Sequence, residues 1–185
     1  MAPGILLVSF DTTRADRIGA YGYDGADTPT VDALARDGIV FEQAIAPTPI
    51  TLPSHATILT GQPPSAHGVR DNGFYVLPSE AELVSEALRD RGFRTGAFVA
   101  AFVLDSRFGL DQGFESYRGP CLDRRRKQIS GIEWRAAEVV DEAIDWLGGI
   151  RPDEKFFAWV HFFDPHHPYK PPKDFRSGAR QIYDA

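Results

Sequence analysis

Gly4-Ile5-Leu6-Leu7-Val8-Ser9-Phe10-Asp11 is an apolar run closed by a carboxylate. A short run with almost no polar interruption reads as a strand buried on both faces, the kind found inside parallel sheets. Downstream, helix and strand signals alternate. Thr28-Pro29-Thr30 opens a helix through about Arg36, with Pro near its start and Gly38 past its end. Ile39-Val40-Phe41 begins a second strand, 39–46. Ser79 and Glu82 have capping-box spacing ahead of a helix packing Leu83, Val84, Ala87 and Leu88 on one face, ended by Gly92. A third strand is expected over 95–103. The longest helix spans 132–147, with Val139, Val140, Ala143, Ile144 and Leu147 as its apolar stripe. A fourth strand covers 156–163. This alternation implies an α/β fold, a mostly parallel sheet with helices on both faces. Residues 104–131 read as a long irregular insertion. Within it, Arg124-Arg125-Arg126-Lys127 is a solvated face or an anion-recognition loop.

The chain has 185 residues, 43% apolar and 25% charged, with a formal charge of −6. That is one domain's worth of core in a soluble globular composition. The negative balance argues against general nucleic-acid binding and requires any anion site to be locally positive, as a metal would make it. The single cysteine, Cys121, excludes an internal disulfide. No window approaches the ~20 apolar residues of a membrane span. No basic n-region or cleavage site is visible at the N-terminus, so cytoplasm is the default reading, with a removed leader still open.

Ligands of open α/β sheets lie beyond the carboxyl ends of the strands. Asp11, the segment around Thr51 and residues 164–166 all follow strand signals. In Thr51-Leu52-Pro53-Ser54-His55 a Pro-containing turn lifts a hydroxyl ahead of a helix pattern, Ala56 to Gly61. Such a hydroxyl stands among free backbone N–H groups and the positive end of the helix dipole, a place suited to attack on an anionic ester. Asp11, forty residues upstream, is either a divalent-metal seat beside it or a helix cap. Thr before Pro also reads as turn punctuation. Asp16 reads as a surface helix-turn residue.

Four segments together resemble the sulfatase branch of the alkaline phosphatase superfamily. They are Ser9 through Asp16, Thr51 through Gly61, His67-Gly68-Val69-Arg70-Asp71-Asn72, and His161-Phe162-Phe163-Asp164-Pro165-His166-His167-Pro168-Tyr169. They run in the family's order across nearly the whole chain. The resemblance implies an alkaline-phosphatase-like sandwich and a metal-dependent hydrolase of sulfate or phosphate esters. Asp11 resembles the first metal-binding Asp of the superfamily; Thr12 stands where many sulfatases have a second. Thr51 stands where sulfatases carry a Cys or Ser converted to formylglycine, and Thr cannot form that aldehyde. Thr-Leu-Pro-Ser-His is instead similar to the Thr-x-Pro-Asn-His signature of nucleotide pyrophosphatase/phosphodiesterases, which favours phosphoester chemistry.

By the same resemblance Thr51, Asn72 and His166 are catalytic, and His55 and His161 contact substrate. Asn72 has the alternative of a plain Asp-Asn-Gly turn, and His161 that of a core residue satisfied by backbone. Asp11 and Thr51 bind a divalent metal, zinc, manganese or calcium. Arg124, four residues after Cys121, mimics a landmark of the family but lacks its Pro. The family's second set of metal ligands lies further along than this sequence runs. Residues 1–185 are therefore expected to be the N-terminal part of a single catalytic domain. Alone they should hold half a metal site and leave one side of the sheet open to self-association. The rival expectation is a non-catalytic fragment or degenerate domain that binds an anion or a partner chain.

Overall fold

The computed structural model describes residues 2–120 and 133–169. Four strands, β1 (Gly4–Phe10), β2 (Phe93–Val99), β3 (Ser116–Arg118) and β4 (Lys155–Phe162), form one sheet in the order β1-β4-β2-β3. Every pairing is parallel, as expected for strands separated by helices. The helices are α1 (Pro29–Asp37), α2 (Thr51–Thr60), α3 (Pro64–His67), α4 (Val84–Arg89) and α5 (Ala136–Gly148). The chain divides into two compact units: Met1–Asp11 with Ala46–Phe163, and Thr12–Ile45 with the described residues from Asp164. The whole sheet and α2 to α5 belong to the first unit.

The sheet is buried on two faces by period-two alternation. Ala97 and Val99 of β2 join Trp159 of β4, Leu52, Ala56 and Leu59 of α2, and Leu83 in one core cluster. Phe98 turns the other way, joining Ala158, Val160 and the α5 residues Val139, Ala143 and Trp146 in a second cluster. Gly96 makes the α5 contact possible. A Cβ there would lie 2.8 Å from the Trp146 ring. β1 is the exception. Its Leu6, Val8 and Phe10 are 56%, 39% and 45% exposed, and β4 is its sole partner in the sheet among the described residues.

Several boundaries differ from the sequence reading. Residues 39–46 form no strand; Ile39, Phe41 and Ile45 are exposed, and no ladder among the described residues takes them in. β propensity without a neighbouring strand does not make a strand. The capping box near α4 uses Glu86, whose carboxylate accepts from the Leu83 N–H at 3.1 Å, so that helix starts later than Ser79 suggests. β2 stops at Val99, because the chain turns into short 3-10 segments. On α5, Trp146 takes the buried place expected for Ile144, which is 62% exposed. The expected insertion contains β3, which pairs with β2. Cys121 and the Arg124 to Lys127 run lie outside the described residues.

The second unit is organised around Asp32 of α1. Its carboxylate accepts from the Ala20 N–H at 2.7 Å and from the Thr28 hydroxyl, fixing the turn ahead of the helix. In the same unit the Thr12 hydroxyl donates to the Pro165 carbonyl at 3.4 Å.

Candidate active site

Polar side chains gather in the first unit at the carboxyl ends of β1 and β4. Ser9 is in register with His161, and His161 with Val99 of β2. Period two puts Ser9 and Asp11 on one side of β1, and Trp159 and His161 on one side of β4. Asp11 is buried, and its backbone N–H extends the β1–β4 ladder to the Phe162 carbonyl.

Thr51 comes to this edge on α2. It is the first residue of the helix and not a residue before it. Pro53 fits inside the first turn because the N–H it lacks would have had no acceptor there. The Thr51 hydroxyl donates toward the Asp11 carboxylate, 3.3 Å from Oδ1 and 3.4 Å from Oδ2. The pair read from the sequence is thus brought together. The free N–H groups expected at this helix start are largely taken. Leu52 N–H donates to Asn72 Oδ1 at 2.9 Å, Pro53 has none, and Ser54 N–H donates to the Ile50 carbonyl at 3.0 Å.

Asn72 is therefore a cap on the start of α2, and its orientation follows. With Oδ1 accepting from Leu52, the amide Nδ2 keeps both hydrogens for another acceptor.

His55 is placed differently from its expected substrate contact. It is buried, and both ring nitrogens have partners within the protein. Nδ1–H donates to the Thr51 carbonyl at 2.8 Å, and Nε2 accepts from the Ser9 hydroxyl at 3.1 Å. Ser9 in turn accepts from the Trp159 indole N–H at 3.1 Å. The chain Trp159–Ser9–His55 thus ends on the carbonyl of the proposed nucleophile. Burial depresses the His55 pKa, outweighing the Thr51 hydrogen bond and the Asp11 charge that raise it, so the ring is held neutral. Ser9 and Trp159 were missed in the sequence. A lone hydroxyl in an apolar strand, two residues before the candidate ligand, was the available signal.

His161 is also buried away from solvent, in line with the core reading. Its Nδ1 accepts from the Ala100 N–H at 3.4 Å, which puts the proton of the neutral ring on Nε2. Among the described residues Nε2 has no hydrogen-bond partner; it lies 3.8 Å from Asp11 Oδ2, beyond hydrogen-bonding range. Burial, with His55 close by at 4.9 Å between ring centroids, drives its pKa well below the ordinary value. His166 belongs to the second unit, where its Nδ1–H donates to the His167 carbonyl at 2.8 Å.

The oxygen donors of Asp11 and Thr51 suit a hard divalent cation. Among the described residues no three His, Cys, Asp or Glu side chains converge as a complete metal-binding group.

A parallel α/β sheet thus brings a carboxylate and a helix-start hydroxyl together at one edge. A family profile described as Sulfatase matches residues 3–185. An ulvan-active sulfatase of Formosa agariphila is 34% identical over 186 residues, covering 90% of this chain and 36% of its own. Human ectonucleotide pyrophosphatase/phosphodiesterase family member 7 is 33% identical over 200 residues, covering 96% and 41%. The crystal structure of the Agrobacterium radiobacter phosphonate monoester hydrolase superposes with a TM-score of 0.77 at 25% identity, covering 95% and 44%. The chain belongs to the sulfatase family and has the alkaline-phosphatase-like α/β fold. It spans less than half the length of these relatives.

Proposed function

We propose that this chain carries the nucleophile-bearing part of a metal-dependent ester hydrolase, and that its chemistry favours phosphoesters. The observation behind this reading is the Thr51 hydroxyl within 3.4 Å of both Asp11 oxygens at the start of α2. Asp11 orients the hydroxyl by accepting its proton in a hydrogen bond, which leaves the oxygen lone pairs for the ester. Asp11 and Thr51 are the residues that would hold a divalent cation, which supplies Lewis-acid stabilisation of oxygen charge when bound. Thr51 Oγ1 bonds to phosphorus as the ester oxygen leaves; the hydroxyl proton passes to solvent by way of Asp11, and the departing oxygen takes up a proton from water. The covalent Thr ester is then cleaved by water, which returns the free hydroxyl. Asn72 Nδ2 donates to a non-bridging oxygen, a role an amide fills without acting as a competing base.

The threonine sets the preference between esters. Formylglycine cannot form at Thr51, and phosphonate- and phosphodiester-acting proteins stand among the similar proteins. A side-by-side assay of nitrophenyl phosphate, a nitrophenyl phosphodiester and nitrophenyl sulfate with added divalent metals tests this in a protein of the relatives' length. Faster sulfate turnover reverses the assignment. Thr51→Ala is expected to remove turnover by several orders of magnitude at a stability cost of only about 1–2 kcal/mol, from the lost hydrogen bond to Asp11.

A further inference from the structure

His67 has no part in the chemistry proposed above, yet it is 4% exposed and bonded at both nitrogens. Nδ1 accepts from the Val69 N–H at 3.1 Å, so the neutral ring carries its proton on Nε2. Nε2–H faces the Thr57 hydroxyl at 3.1 Å, and that hydroxyl donates to the Pro53 carbonyl at 3.0 Å. The ring therefore ties the backbone just beyond α3 to the body of α2. Val69 follows, fully buried beside Leu52 and Ala56. Asn72 then reaches the first turn of the same helix, at the Leu52 N–H. The two ties meet α2 roughly 7.5 Å apart along its axis, at ~1.5 Å per residue. Between them runs a short bridge whose only left-handed residue is Gly68, at φ +82.

We propose that His67 is a positioning residue for Asn72. Its Nε2–H tautomer fixes the bridge 67–72 on α2, and so sets where the Asn72 amide stands beside Thr51. This rests on the assignment of Asn72 as an oxyanion donor. A loop cap held at one end would swing; held at both ends, it presents Nδ2 in one place, as preorganised donors must be.

Leu52 N–H reports on the tie directly. It lies at the helix start, where no intrahelical acceptor exists, and its partner is Asn72 Oδ1. The experiment is amide hydrogen exchange on the full 185-residue chain, with long-range nitrogen spectra of the His ring. Wild type should show an unprotonated Nδ1 and a protonated Nε2 at His67. His67→Ala should speed exchange at Leu52 about ten-fold while central β2 and β4 amides keep their protection. His67→Gln, whose amide N–H reaches toward Thr57, should restore Leu52 protection. His67→Asn, which can only replace the Val69 contact, should not. Thr57→Val removes the same bond from the other side with little change of volume, and should reproduce the Leu52 loss if His67→Ala folds poorly. Unchanged Leu52 exchange in Thr57→Val, or equal rescue by Asn and Gln, would overturn the proposal and leave His67 a local turn residue. None of these readouts needs turnover. An Asn72→Ala variant that keeps full activity would defeat the donor assignment alone.

Discussion

At the scale of single residues, neutrality is the common property of the buried histidines. Burial holds the pKa values of His55, His67 and His161 below the ordinary value in each case. In the unfolded chain each titrates near ~6.5. As pH falls through that value the unfolded state takes up protons that the folded state refuses, so folding stability declines on the acid side and is fully present above it. The slope limit is about 1.4 kcal/mol per pH unit for each histidine. Urea unfolding at a series of pH values between 7 and 5 checks this, and His67→Gln should flatten the slope by one histidine's share. That Asp11 and Thr51 meet at one sheet edge was readable in the sequence, because one ends a strand and the other opens a helix; the cap that Asn72 makes on Leu52 was not. The duties of Ser9, Trp159 and His67 were not. They depend on the register of β1 against β4 and on where α3 meets α2, which no local pattern encodes.

At the scale of elements, close packing decides what local propensity leaves open. β1, α1, α5 and β4 were legible because their apolar patterns last several turns or a full strand. The 39–46 segment was misread because its β-branched and aromatic residues met the strand pattern without a neighbour to pair with. Trp146 displaced Ile144 from the α5 stripe because Gly96 opens room for an indole, a fact about β2 that α5 does not carry. Gly96→Ala is therefore expected to cost about 1–3 kcal/mol by overpacking. The denaturant midpoint should fall, with an unchanged slope showing that the fold is kept. Truncating the ring as well, in Gly96→Ala with Trp146→Leu, should recover part of the loss, since contacting sites are not additive.

At the scale of the molecule, β1 exposes Leu6, Val8 and Phe10 along an edge strand, the arrangement that natural sheets usually protect. The 185-residue chain is expected to self-associate with rising concentration on a sizing column, and Leu6→Lys with Val8→Lys to shift it toward monomer. Calorimetric titration with zinc, manganese and calcium should show no tight stoichiometric binding by this chain. Asp11 and Thr51 offer at most three oxygen donors between them, where such ions take ~4–8. A tight single site in a well-behaved monomer would instead make the site complete within these residues.

The same edge has a consequence during synthesis. Ser9 and Trp159, hydrogen-bonded in the folded protein, are separated by 150 residues of chain. At ribosomal speeds of ~5–20 residues per second, the most apolar strand emerges roughly 8–30 seconds before the strand it must pair with. β2 and β3 can find each other early, but β1 has to wait beside the exit tunnel with its apolar side chains in water. The nascent chain is thus a natural client for holding chaperones, and its yield on expression should follow their supply more closely than it follows the final stability of the sheet.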